Sequence, residues 1–169
     1  GTRLRMPRID LLNGQSFDPA QTAGQPLLIY WWSSTCPFCA LQSPSMDALW
    51  REQKSKGLKM VALSIDRKPE EVSAYLAKRG YTFPVAWASP AWRLAFPKPK
   101  GLPITLLVGR DGLVLKEQHM VLEQCLQQRI AVGVEDHLVV VGGVGGLRNR
   151  AQRIAFLNGI GGASFLSHR

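Results

Sequence analysis

The hydrophobic pattern of the chain switches between two periods. "PLLIYWW" (26–32) is an unbroken apolar run rich in β-formers, which predicts a central strand buried on both faces. After Cys36 the spacing changes. Met46, Leu49 and Trp50 recur at three to four residues, so the pattern predicts a helix from about Pro37 to Lys56. Gly57 ends it, with Lys54 and Lys56 in the last turn, where cations complement the helix dipole. "LKMVALSID" (58–66) reads as a second buried strand. "KPEEVSAYLAKRG" reads as a helix with Pro69 and two glutamates in its first turn and Gly80 just past its end. A short strand is expected in "TFPVAWA" and a short helix in "SPAWRLAF", with Ser89 as N-cap and Pro90 at the first helical position. "ITLLV", the turn "GRDG" and "LVLKEQ" predict an antiparallel hairpin. "VLEQCLQQRIAV" predicts a closing helix with Leu122, Leu126 and Ile130 on its apolar face. Upstream, residues 1–26 are turn-rich, and "LLNGQSFD" reads as a hairpin through Asn13-Gly14.

This order of elements predicts an α/β fold. A parallel strand pair with a right-handed crossover is followed by an antiparallel edge, giving a mixed central sheet with helices on both faces. At 169 residues the chain suits one core, placed at residues 1–133, with residues 134–169 as a C-terminal extension. In that extension "HLVVVGGVGGL" followed by "RNRAQRIAFLNG" has the strand, glycine loop, helix order of a phosphate cradle. G-x-G-x-x-G fails in either register, so a packed or flexible extension, or a segment foreign to the domain, is expected instead.

Composition changes this picture little. No apolar stretch approaches the roughly 20 residues that span a bilayer, so the chain is expected to be soluble. No signal peptide is visible at Gly1, a start compatible with a removed or anchoring segment ahead of it. The formal net charge of +9 raises the question of nucleic acid. Lys and Arg are scattered, however, apart from "TRLRMPR" and Arg148, Arg150 and Arg153, so a solvated basic surface is expected and no nucleic-acid partner.

The chemistry concentrates in "WWSSTCPFCALQSP" (31–44), where Cys36 and Cys39 lie at the start of the first predicted helix. Unpaired backbone N–H groups and the positive end of the dipole favour a thiolate there. Cysteines so placed drop from a pKa of about 8.5 to between roughly 3.5 and 7. Cys36 is therefore expected to attack, and Cys39, one turn deeper, to resolve the mixed disulfide. A structural zinc site would need four ligands, and the chain has neither a second CxxC nor an HxxxH. A copper(I) site on the two thiolates and a distant histidine stays open, with His119, read as a surface residue after the last strand, the first to test. Pro103 stands just before a predicted buried strand. A cis Leu102–Pro103 bond or a trans proline starting the strand would both fit there. Phe38, between the cysteines, is expected in an exposed apolar docking lip. Trp31 reads as core, and the lone Cys125 as an inert small hydrophobe.

With these residues in view, the chain resembles the thioredoxin superfamily, and within it the TlpA/ResA-like extracytoplasmic thiol–disulfide oxidoreductases. The likeness lies in "LLIYWWSSTCPFC", "ALQSP", "GLKMVALSID" and "GLPITLLVGRDGLVL", over about residues 9–132. It implies a thioredoxin fold, Cys36 as attacking thiol, Cys39 as resolving thiol and Pro103 as a cis-proline beside the disulfide. With it come substrate contacts at Pro103, Leu102, Phe38, Thr35 and Trp32. It also implies a periplasmic or extracytoplasmic monomer, with a membrane anchor outside this chain an open option. Its partners would be protein thiols and disulfides and a membrane redox protein; no cofactor beyond the disulfide and no metal is implied.

The departures bear on mechanism. Tyr30 stands where thioredoxin has a buried aspartate, Gln42 where ResA-like proteins often carry glutamate, and Thr35 where tryptophan is usual before the first cysteine. No general base for the resolving thiol is evident, and no anionic group is expected near Cys36. With a Thr35 hydroxyl donating to the thiolate, this predicts a more oxidising couple. A copper or haem-assembly chaperone remains the alternative function. Peroxide reduction is disfavoured, because "SSTC" lacks the proline and threonine of the peroxidase pattern.

Overall fold

The structure, a computed structural model, describes residues 1–119, 130–134 and 137–141. A short hairpin, β1 (Ile9–Asp10) with β2 (Ser16–Phe17), opens the chain, turning at Gly14 in the left-handed conformation that asparagine-glycine turns favour. The central sheet is built from β3 (Leu27–Trp32), β4 (Lys59–Ser64), β5 (Val85–Trp87), β6 (Ile104–Val108) and β7 (Val114–His119). Its order is β5-β4-β3-β6-β7. β3, β4 and β5 run parallel, whereas β6 and β7 are antiparallel to their neighbours, which is the expected mixed sheet.

Helix α1 (Pro37–Gln53) links β3 to β4, α2 (Pro69–Arg79) links β4 to β5, and the single turn α3 (Trp92–Ala95) follows β5. After α1 a 3-10 turn over Lys54–Lys56 leads to Gly57, which is left-handed at φ 95°, so the predicted helix end is observed. Pro44 sits inside α1, where its missing N–H gives up one helical bond. Pro90 and Ala91 form a turn ahead of α3, and the Ser89 hydroxyl caps that turn by accepting from the Trp92 N–H at 3.1 Å. Among the described residues no helix is long and apolar enough to cross a membrane.

All six residues of β3 are buried, and their alternation divides the core. Leu28, Tyr30 and Trp32 face α1 and α2, packing with Met46, Val72 and Phe83. Leu27, Ile29 and Trp31 face the other way, toward Met6, Ile9 and Leu11 and the partly buried Trp92 and Phe96. Among the described residues, this second face is therefore covered by α3 and by the N-terminal segment rather than by a long helix. Residues 2–12 cross it as a strap. Its start pairs with the beginning of β7, through Val114 N–H to Thr2 O at 2.8 Å and an Arg3–Leu113 bridge. Its middle is held by the Trp92 indole N–H on Arg8 O at 3.0 Å. Its end joins β5, through Leu12 N–H to Val85 O at 2.9 Å and a Leu11–Ala86 bridge.

Two expectations change. The closing helix over "VLEQCLQQRIAV" does not extend through its end, because Ile130–Val134 forms strand β8, paired antiparallel with β9 (His137–Val141). Ile130, Val132 and Val134 are β-branched at alternate positions beside a valine-rich partner, and that pairing outweighs a helical spacing. Leu122, Leu126, Cys125 and the glycine-rich stretch after Val141 lie outside the described residues. His119 is the last residue of β7, opposite Ile104, and does not follow the strand.

Leu63 lies in the middle of the sheet at 0% exposure, whereas Leu94 on α3 is 85% exposed. Leu63→Ala should cost about 2–5 kcal/mol, and Leu94→Ala less than about 0.5 kcal/mol. Urea unfolding reads both as shifts in midpoint at constant slope.

Candidate functional site

The carboxyl end of β3 delivers the chain into a loop of residues 33–35, and Cys36 becomes the N-cap of α1. Its backbone is extended (φ −87°, ψ 114°), and its carbonyl accepts the first helical bond from Ala40 N–H at 3.1 Å. Its sulfur accepts from the Cys39 N–H at 3.1 Å, the contact that stabilises negative charge at a helix start. Cys36 and Cys39 form a disulfide with Cα atoms 5.2 Å apart. The two sulfurs are not equivalent: Cys36 is half-buried, Cys39 fully buried. Pro37, at the first helical position, gives up an N–H that would have no partner in the helix.

Beneath the buried cysteine the environment is neutral. Tyr30 places its hydroxyl 3.0 Å from Ser43 Oγ and 3.4 Å from the Cys39 carbonyl. Burial drives this phenol well above its ordinary range, against the Ser43 bond and with small contributions from Tyr75 and Tyr81, so it stays protonated. Gln42 is buried and bridges α1 to β6, its amide nitrogen donating to Thr105 Oγ1 at 3.3 Å and to Met46 Sδ at 3.5 Å. Its Oε1 is buried with no hydrogen-bond partner among the described residues.

The loop before Cys36 rests on a residue that sequence patterns do not mark. Asp66, just past β4, is buried, and its carboxylate gathers donors from that loop. Oδ1 accepts from Ser33 Oγ at 2.9 Å, from Ser34 Oγ at 2.6 Å and from Ser34 N–H at 3.1 Å. Oδ2 accepts from Ser34 N–H at 3.1 Å and from the Ser64 hydroxyl. Burial alone would raise the Asp66 pKa. The bonds from Ser34, Ser64 and Ser33 more than offset it, and the carboxyl titrates below the ordinary aspartate range. The expectation that no anionic group lies near Cys36 is thus corrected: a carboxylate holds the chain two residues before it. A signal was present in "SID" at the end of a buried strand, but Ser33 and Ser34, which tie it to the cysteine loop, are more than thirty residues away.

Thr35 is exposed, and its hydroxyl lies 3.0 Å from Ser33 Oγ. The single proton of Ser33 goes to Asp66, so Thr35 must be the donor in that pair. Its proton is therefore committed away from Cys36, contrary to the expected bond to the thiolate. Trp32 is also corrected: it is 0% exposed, packed against Tyr75 and Phe83, and has no surface to offer a substrate. Its large apolar ring points to the helix side of the sheet because β3 alternates.

The Leu102–Pro103 peptide is cis. Trp31 lies opposite Ile104 in the antiparallel register, so Pro103 falls at the end of β3 where the disulfide loop begins. Leu102 is partly buried and packs against both core clusters. The preceding turn is tied by Lys98, whose ammonium donates to Gly101 O at 2.8 Å and to Pro99 O. Burial, helped by nearby Arg93, lowers the Lys98 pKa. On the other side of the disulfide Phe38 is 47% exposed and Leu41, one turn on and not anticipated, 64% exposed. Among the described residues no group of three His, Cys, Asp or Glu side chains could hold a metal ion.

A cysteine pair with one accessible and one buried sulfur, on a helix start beside a proline at a strand entrance, invites comparison with known proteins. The family model Redoxin matches residues 4–124. The chain belongs to the Redoxin family. Among its curated relatives is the thiol-disulfide oxidoreductase ResA of Halalkalibacterium halodurans, 24% identical over 105 residues, covering 62% of this chain and 60% of ResA. The Redoxin chain thus spans about 60% of the length of that relative. Solved structures share its thioredoxin fold. A thiol:disulfide interchange protein from Chlorobium tepidum aligns with TM-score 0.61 at 21% identity, over 70% of this chain and 86% of that one. A secreted Mycobacterium tuberculosis disulfide oxidoreductase homologous to DsbE aligns with TM-score 0.59 at 18% identity, over 68% and 84%.

Two measurements test this account of the site. Tyr30→Phe leaves Ser43 and the Cys39 carbonyl without the phenol and should lower stability by about 1–3 kcal/mol by chemical denaturation. The lowered Asp66 pKa means stability that is full above the unfolded value of 3.8 and lost as pH falls through the folded value. Asp66→Asn should therefore be less stable than the parent at neutral pH, and the gap should narrow in melts taken below pH 3.8.

Proposed function

We propose that this chain is a thiol–disulfide oxidoreductase that exchanges disulfides with protein substrates through Cys36 and Cys39. The observation that carries this reading is the asymmetry of the pair: an accessible sulfur at a helix N-terminus, joined to a fully buried one. An external partner can reach only Cys36. In the reducing direction, the Cys36 thiolate attacks one sulfur of a substrate disulfide, forming a mixed disulfide and expelling a substrate thiolate. The Cys39 thiol loses its proton to solvent or to that thiolate, and its sulfur attacks Cys36 Sγ. The Cys36–Cys39 disulfide closes and the second substrate thiolate leaves. Two electrons pass from the dithiol to the substrate, and the thiolates take up the protons the two cysteines gave. The oxidising direction is the same sequence reversed.

Phe38 and Leu41 offer exposed apolar contact on the helix side of the pair, and the partly buried Leu102 lies on the strand side, whereas Pro103, expected as a substrate contact, has its own ring buried. An extended peptide carrying a cysteine suits that opening. An extracytoplasmic setting, with a membrane redox protein as source or sink of electrons and haem–protein maturation as a downstream use, belongs to this reading through the likeness to ResA-like oxidoreductases. The metal-chaperone alternative has no third ligand among the described residues.

Equilibration in glutathione buffers should reveal a reversible two-electron couple. The neutral Tyr30 and Gln42 beneath the pair favour a potential above the roughly −270 mV of thioredoxin. Cys36→Ser should abolish exchange, and Cys39→Ser should accumulate a mixed disulfide that mass spectrometry detects. Absence of any reversible couple would overturn the reading.

A further inference from the structure

The hydrogen bonds of Asp66 converge on one short piece of chain. Ser33 and Ser34 are all that separates the last residue of β3 from Thr35 and Cys36. Cys36 N–H donates back to the Ser33 carbonyl at 3.2 Å, so residues 33–36 close a turn whose last member is the reactive cysteine. Asp66 grips the first two residues of that turn, and Thr35 is tied in through Ser33. The grip is itself held. The Asp66 N–H donates to Ser64 Oγ at 3.1 Å, and the Trp87 indole N–H donates to the Asp66 carbonyl at 2.8 Å. The carboxylate is thus fixed by β4 and β5, and it fixes the turn that leaves β3.

This matters most when the disulfide is open. Cys36 is then held by the 33–36 turn on one side and by the Ala40 and Cys39 N–H groups of the helix start on the other, and a sulfur that drifts from the helix start loses the N–H groups that favour its anion. We propose that Asp66 is the positioning residue for Cys36: its carboxylate, through Ser33 and Ser34, keeps the freed sulfur at the N-terminus of α1. The proposal rests on the exchange chemistry above for its purpose, but its test does not need an exchange partner.

The test is the pH dependence of Cys36 alkylation by iodoacetamide in the reduced protein, with Cys36 and Cys39 separated by peptide mass spectrometry. Two effects of removing Asp66 have opposite signs. Loss of positioning raises the midpoint of Cys36, whereas loss of a neighbouring negative charge lowers it. Asp66→Ala should raise the midpoint by about one unit, which is roughly tenfold less thiolate at pH values below it. In Asp66→Asn the charge is lost equally but the remaining oxygen can still accept from Ser33 and Ser34, so its midpoint should lie below that of Asp66→Ala. An unchanged midpoint in Asp66→Ala, or a lowered one in both variants, overturns the proposal. Should Asp66→Ala fail to fold, Ser34→Ala decides. It removes one hydroxyl from the carboxylate and leaves the charge in place, so a raised midpoint supports positioning and an unchanged one overturns it. Failure of the parent to show a couple in glutathione buffers would sink the exchange reading alone, because alkylation reports on Cys36 whether or not it exchanges.

Discussion

Burial of β3 on both faces is the constraint from which the rest of the molecule is placed. Six consecutive residues, Leu27–Trp32, have no face open to solvent, and their backbone pairs with β4 on one side and β6 on the other. Such a strand needs two covering layers. α1 and α2 supply one, and α3 with the N-terminal strap supplies the other. Because the strand is central, its carboxyl end is also the point where chain first escapes the sheet, at the edge between a parallel and an antiparallel neighbour. The disulfide loop occupies that exit, with Asp66 arriving from β4 and Pro103 from β6.

The chemistry of the site is a balance between two ends of one turn. At Cys36 the turn meets the N-terminus of α1, whose N–H groups favour negative charge on sulfur. At Ser33 and Ser34 it meets a buried carboxylate that needs donors and takes them from the same turn. The two anionic positions are thereby kept at opposite ends of one turn, each with its own donors. Tyr30 and Gln42 add polarity without charge under the buried sulfur, so the ionised groups of the site lie along the loop rather than beneath the pair.

The legible parts of the chain are those whose signals are local. The unbroken run of β3, the helical spacing of Met46 and Trp50, the glycines at 57 and 80 and the CxxC at a helix start all act within a few residues, and each is found where its pattern places it. The cis bond at Pro103 is one of two options open to the sequence, settled by tertiary context. Asp66 escapes notice because aspartate after a strand is common, and only the parallel register of β3 with β4 brings it under Ser33. Thr35 is different: its hydroxyl is claimed by Ser33 two residues before it, because the Ser33 proton goes to the distant Asp66, and the face of Trp32 is chosen by strand alternation. In "RIAV" a helical spacing competes with β-branched alternation, and the partner strand at 137–141 decides it.

The strap over the second face has a further consequence, for how copies of the molecule meet one another. A sheet ending in free strands offers unpaired N–H and C=O groups to any neighbour, and proteins ordinarily blunt such borders. Here one short segment treats both borders at once. Thr2 and Arg3 occupy the start of β7, and Leu11 and Leu12 occupy β5, while Met6 and Ile9 seal the apolar face between them. Loss of these residues would uncover part of two strand borders and an apolar surface together, the combination that invites strand pairing between copies. The dozen residues before the first hairpin turn thus cover part of two strand borders and the apolar face between them.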